Sequence, residues 1–207
     1  MANYCMNNIV FYSTNPKTLE KLYEPMKQMV TNYNSDTSFH KLLVALKQES
    51  LVEQLEDLRH YLLDISKIEK KDNTYYFHLY TEAAWSPHTE DIDVLLSTPT
   101  YQDIQYVYTA EEPGMGIFIN SDVNHRFLDT QYLIYYYYGD TTEEDQYFSN
   151  KEELVSYLQS KFPNALITPW DSLATMTRKV ENLLANAYDS YGFCIHEFES
   201  DSLEMSA

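Results

Sequence analysis

Cysteine is nearly absent from this chain: Cys5 and Cys194 are its only thiols in 207 residues. Two thiols so far apart cannot by themselves hold an iron–sulfur cluster or a cysteine-based zinc site, and they do not make a disulfide scaffold. Both read as buried, reduced side chains. No apolar run is long enough to span a bilayer. The start, "MANYCMNNIVFYSTN", lacks the basic stretch and small-residue cleavage site of a signal peptide, which favours the cytoplasm. Basic residues are scarce as well, 14 Lys and Arg against 32 Asp and Glu, for a formal net charge of −18. A field of that sign repels phosphate backbones and anionic membranes, so direct nucleic-acid or membrane binding is not expected and a basic protein partner is. The same charge also keeps a chain in solution.

What is present is aromatic and patterned. "YCMNNIVFY" at 4–12 has strand composition and hands over to a helix with Pro16 in its first turn. Leu19, Leu22, Met26, Met29 and Val30 recur at helical spacing, with Pro25 expected to bend or interrupt the segment. Two more helical stripes follow, Phe39, Leu42, Leu43, Leu46 and Leu51, Leu55, Leu58, Leu62. From residue 73 the period becomes two in "TYYFHLYT". A short helix carries Ile92, Leu95 and Leu96, and strands follow at "IQYVYTA", "GIFIN" and "YLIYYYY". An acidic loop "GDTTEEDQ", helices near 150–161 and 171–188, a strand "GFCIHEF" and a polar tail complete the chain.

Strand, helix, strands, helices, strand is the split order of a ferredoxin-like sandwich, a word that describes the fold and implies no iron. The expectation is an α+β chain with a ferredoxin-like antiparallel sheet, helices on one face, an N-terminal helical insertion near 36–66 and a C-terminal helical cover. We read 1–207 as one elaborated domain, with a core over 1–140, a completing segment at 141–198 and a tail at 199–207.

Two of the four glycines, Gly114 and Gly116, fall in "EEPGMG". Pro113 and Gly114 at the two central positions give the chemistry of a type II turn, in which Gly114 supplies the positive φ. Gly116 fits a bulge or a close backbone approach. A phosphate cradle is disfavoured, because Glu111 and Glu112 would repel the anion and no helix start follows.

Ser86 reads as an N-cap and Pro87 as the first helical residue. If the strands near 80 and 110 run parallel with 116–120 between them, then Glu82, Trp85, His88, Glu111 and Glu112 face one edge cleft. Cys194 and His196 share a strand face at a backbone separation of roughly 7 Å, poor spacing for a nucleophile and its base. The six histidines, at 40, 60, 78, 88, 125 and 196, show no metal-ligand spacing, so neither a metal nor a cofactor is expected.

Asn3-Tyr4-Cys5-Met6-Asn7, Trp85-Ser86-Pro87 and Glu112-Pro113-Gly114 stand in an order and spacing that resemble the YubB ferredoxin-like family of plasmid, phage and conjugative-element proteins. The resemblance covers roughly 1–140; Tyr4 stands where members usually have Trp, and His88 replaces a common second Pro. It implies a fold and a mobile-element setting, and lends no catalytic residue. The leading reading is a non-enzymatic accessory or interaction protein with an acidic, tyrosine-rich surface. Its partner face is expected at Glu143, Glu144, Asp145, Tyr147, Glu152, Glu153 and Tyr157, where rings interleave with acids. The alternative class is a small-molecule-binding protein or hydrolase-like enzyme that uses Glu82, His88 and Glu112.

Overall fold

The computed structural model describes residues 3–32, 36–55, 59–139 and 144–200, with only the backbone at Glu144. The chain is α+β and divides into two compact units, Met1–Ser121 and Asp122–Ala207, each with its own antiparallel sheet. That division differs from the single domain with a boundary at 140 expected above.

In the first unit, β1 (Tyr4–Ser13) leads into α1 (Pro16–Thr31), whose start is capped by the Asn15 side chain accepting from the Lys17 amide at 3.2 Å. Helix α1 runs on through Pro25, against the expected interruption. After α2 (Phe39–Ala45) the sequence-based stripe of leucines does not continue as an α-helix. Residues Glu49–Gln54 form a 3-10 helix, Leu58 lies outside the described residues, and His60–Ile65 is strand β2. A three-residue strand β3 (Glu69–Lys71) then turns into β4 (Thr74–Ala84). Helix α3 (Thr89–Leu96), β5 (Gln105–Glu112) and β6 (Ile117–Asn120) complete the unit.

The sheet order is β2-β4-β1-β5-β6, with β3 on β4. Strands β4 and β5 each pair antiparallel with β1, so they run parallel to one another with β1 between them, where the sequence reading put the 116–120 strand. Strand β6 lies instead at the sheet edge. Ile9, Phe11, Phe77 and Leu79 point from the sheet into a core shared with Leu19, Leu22 and Met26 of α1, Phe39, Leu42 and Leu43 of α2, and Ile92 and Leu95 of α3. The opposite face carries the alternate residues of each strand.

The second unit orders its strands β8-β7-β9, with β7 at Tyr132–Tyr138, β8 at Glu144–Phe148 and β9 at Tyr191–Glu197. The end of the expected acidic loop is thus strand β8. Helices α4 (Lys151–Lys161) and α5 (Leu173–Ala185) pack Leu154, Leu158, Met176 and Val180 against Ile134, Tyr136 and Phe193. One set of the tyrosine run does fill this core: Tyr136 is buried, and its hydroxyl lies 2.9 Å from that of Tyr157. Among the described residues, no helix is long and apolar enough to cross a membrane.

Candidate functional site

Three sequence-distant segments meet at one end of the first sheet. Strand β1 begins there, and β4 and β5, antiparallel to it, both end there. The Trp85 amide donates to the Asn3 carbonyl at 3.1 Å, holding the segment after β4 against the start of β1. A Cβ placed on Gly114 would sit 2.7 Å from Asn3 Nδ2, so the turn after β5 packs directly on the same asparagine.

The turn is not the one expected. Met115 and Gly116 donate to the carbonyls of Glu112 and Pro113, at 3.2 Å in each case. Positive φ falls on Gly116 (70°) and not on Gly114. At Gly114 a Cβ would press on the ends of the Asn3 and Glu112 side chains, which would have to shift; Gly116 is required by backbone conformation, with open space around it. Ser86 and Pro87 likewise do not open a helix. They lie in a bend between two residues of positive φ, Trp85 (72°) and His88 (49°), and α3 begins at Thr89. For a side chain as large as Trp that backbone region is a true outlier, held only because the surroundings over-determine it.

Strand alternation divides the five residues expected in one cleft. Glu111 and Glu112 are consecutive on β5 and therefore face opposite ways. Glu112 turns inward, is buried, and accepts from the Met115 amide, so it closes its own turn. His88 is also buried, with Nε2 bonded to the Ala84 carbonyl at 2.9 Å. Glu82 and Glu111 stay on the outer face, directly across from Met6 on either side. Their Cα atoms are two strand spacings apart, about 10 Å. Trp85 is 42% exposed, and Tyr4 (48%) and Met6 (41%) are exposed with it.

Beneath this face lies a buried polar chain that no local pattern announced. Cys5 Sγ donates to Asn7 Oδ1 (3.5 Å), and Asn7 Nδ2 donates to Thr81 Oγ1 (3.1 Å). His60 Nδ1 lies 3.1 Å from Asp91 Oδ2, and its Nε2 lies 3.2 Å from Thr81 Oγ1, both at hydrogen-bond distance. Phe39 stacks on the His60 ring at 4.9 Å. All five polar residues are essentially inaccessible, so the chain ties β1, β4, β2 and α3 together and offers no reacting group to solvent. Burial, with help from Glu112 and Glu111, pushes the Cys5 thiol up to about 12, so it stays protonated and is a poor nucleophile.

In the second unit the expected partner face is only partly assembled. Glu143 lies outside the described residues, as does the side chain of Glu144. Asp145 and Tyr147 are exposed on one face of β8, and Glu152 is exposed in the first turn of α4. Glu153 is engaged in capping: its carboxylate accepts from the Ser149 amide at 3.1 Å while its own amide donates to Asn150 Oδ1 at 2.9 Å. Tyr157 packs on Phe148 with ring centroids 5.2 Å apart.

Cys194 and His196, separated along their strand, bend together until Sγ and Nε2 are 3.1 Å apart. Burial raises the thiol and lowers the imidazole, so both groups are neutral and share a hydrogen bond, not an ion pair. Among the described residues, no group of three or more His, Cys, Asp and Glu side chains is placed to hold a metal ion. Comparison with known protein families, curated proteins and solved structures finds no match for this chain.

Proposed function

We propose that this chain is a non-enzymatic accessory protein of a mobile element, and that it binds a basic, DNA-handling protein through the part of the outer sheet face of its first unit around Met6, beyond the buried Phe118 and Asn120 at the β6 edge. The observation that carries the reading is the cross-strand row Tyr61, Glu82, Met6, Glu111, Phe118, in which two carboxylates bracket an exposed methionine. The next row, Asp64, Tyr80, Asn8, Thr109, Asn120, adds a third acid, and neither row contains Lys or Arg. Among the described residues, Glu82 is in no ion pair. Carboxylates beside exposed Tyr4, Tyr80 and Trp85 suit an arginine- or lysine-bearing surface, since rings and acids both attract the cation.

We infer a ferredoxin-like sandwich for this unit. Its support is the order β2-β4-β1-β5, in which each of the two parallel strand pairs has an antiparallel strand between its members. The three motifs of the YubB resemblance lie together at Asn3.

The test is capture of host proteins at low and high salt by the wild-type chain, by Glu82→Gln/Glu111→Gln, and by Asp145→Asn/Glu152→Gln. The expected result is a basic protein retained at low salt, released at high salt, lost with the first pair of substitutions and kept with the second. Retention indifferent to Glu82 and Glu111 would remove this surface from consideration. A dependence on Asp145 and Glu152 would move the contact to β8.

A further inference from the structure

The two thiols of the chain stand in opposite settings. Cys5 is wholly buried, whereas Cys194 is half-buried on β9, a strand at the edge of the sheet β8-β7-β9. Phe193 and Ile195 pack with the core under the helices, so alternation turns Cys194 and His196 to the outer face. Residues two apart on a strand are roughly 7 Å apart at the backbone. Here the two side chains close that gap until Sγ lies 3.1 Å from Nε2.

A sulfur and an imidazole nitrogen at that distance have the geometry of a nucleophile and its general base. Burial, and behind it the charges of Asp145 and Glu181, keeps the Cys194 thiol protonated, and burial keeps the His196 ring neutral. Reaction at this sulfur therefore needs a base that takes the proton while the new bond forms. In the tautomer with its proton on Nδ1, the His196 ring offers Nε2 as that base. The other neighbour of Sγ, the Tyr135 carbonyl at 3.9 Å, can accept a hydrogen bond but cannot carry a proton away. Cys5 has only such a partner, the amide oxygen of Asn7, and no surface open to a reagent.

The surroundings select the reagent. Across the sheet, Cys194 shares a row with Tyr135 and Asp145, and His196 shares the next with Leu133 and Tyr147. Asp145 is exposed, neither row contains Lys or Arg, and the whole chain carries a net charge of −18. An anionic reagent is repelled from such a face and a cationic one is drawn to it, with the tyrosine rings adding to the attraction. A disulfide is the electrophile for which attack by a thiol closes with no further reactant.

We propose that Cys194 and His196 form an S-thiolation site for small, amine-bearing disulfides, with Cys194 as the nucleophile and His196 as its general base. Sγ attacks one sulfur of the reagent and gives its proton to Nε2 as the new S–S bond forms and the old one breaks. The departing sulfur takes that proton from Nε2 and leaves as a thiol. The Cys194 sulfur is oxidised, the departing sulfur is reduced, and no other oxidant enters. Cys5 is wholly inaccessible and cannot displace the adduct, so the product is a mixed disulfide that puts a cation on the face carrying Asp145. The site belongs to the second unit and uses no residue of the face proposed to bind a basic protein.

The experiment follows adduct formation on the full, folded chain by intact-mass spectrometry, for the wild type, Cys194→Ser and His196→Gln. The probes are cystamine as the cationic disulfide, bis(hydroxyethyl) disulfide as the neutral one and dithiodiglycolate as the anionic one. A single adduct is expected on the wild type and none on Cys194→Ser. At low salt the rates should fall in the order cationic, neutral, anionic, and at high salt they should draw together. His196→Gln should slow the reaction about tenfold or more near pH ~7 and change its pH profile. The wild-type rate levels off once the imidazole is unprotonated, whereas the variant rate keeps rising with the thiolate fraction. The charge order and the wild-type profile need no substitution, so they test the site even where a variant disturbs the fold, which circular dichroism checks. A folded wild type that stays unmodified, an adduct that persists in Cys194→Ser, a His196→Gln chain that reacts like the wild type, or dithiodiglycolate as fast as cystamine at low salt would each overturn the proposal.

Discussion

The amide of Trp85 donates to the carbonyl of Asn3 across 3.1 Å, and this bond fastens the end of β4 to the start of β1. It is made with Trp85 at φ 72°, so the exposed indole is displayed at a conformational cost. Asn3 in turn lies against Gly114, so one asparagine locates the segments after both β4 and β5.

Trp85→Gly separates display from stability. Relieving a left-handed conformation returns about 1–2 kcal/mol, and the added freedom of glycine in the unfolded chain costs about 0.5–1 kcal/mol. The variant should unfold no more easily than the wild type by urea titration, yet retain less of the basic partner. A clearly lowered midpoint would show that the indole packs for stability.

Gly116 and Gly114 should respond to alanine for different reasons. Gly116→Ala meets no atom but must hold φ near 70°, a penalty of about 1 kcal/mol. Gly114→Ala has an ordinary φ and collides with Asn3 Nδ2, so shortening that side chain by Asn3→Ala should rescue it while leaving Gly116→Ala unrescued. Denaturation midpoints of the four variants check both statements.

Asp91→Ala leaves His60 Nδ1 buried with no carboxylate, a loss of about 1–3 kcal/mol. Because the two residues are in direct contact, Asp91→Ala and His60→Ala should be non-additive, with a coupling of at least about 0.5 kcal/mol in a double-mutant cycle. Additive losses would mean that the pair is merely two separately packed residues.

Acid should destabilise the fold before carboxylates begin to titrate. Burial lowers His78 and His196 below the ordinary histidine value. The unfolded chain therefore takes up protons first, and stability that is complete above pH ~6.5 falls as pH drops toward the folded-state values. Urea midpoints from pH 7.5 down to about 5 should decline, and His78→Asn, which cannot take up the proton, should flatten the slope. A slope unchanged by His78→Asn would assign the decline to other groups.

The amino-acid sequence by itself specified the long, strongly patterned elements. Strand composition marked β1, period-two alternation marked β4, and a 3.6-residue stripe marked α1, because each buries one face and its apolar residues must recur accordingly; β5, β7, α4 and α5 were also expected near where they lie. It misread His60–Ile65 as helix, since leucines at 51, 55, 58 and 62 match a helical stripe by count alone. Only pairing with β4 decides that segment, and that pairing depends on residues some twenty positions away. Strand β8 was hidden in the same way, its acids and polar residues reading as loop until β7 supplied a neighbour to pair with.

The candidate site divides along the same line. Asn3, Trp85 and Gly114 were legible as motifs, but a motif does not say which way a strand faces, and alternation on β5 put the half-buried Glu111 on the outer sheet face and Glu112 into the turn. The chain from Cys5 through Asn7, Thr81 and His60 to Asp91 draws on four elements and had no local signature. Local sequence sets which residues want to be buried or exposed, because that preference belongs to a side chain and its near neighbours. Which of them meet was set by the sheet order and register, because those fix the distances between residues far apart in the chain.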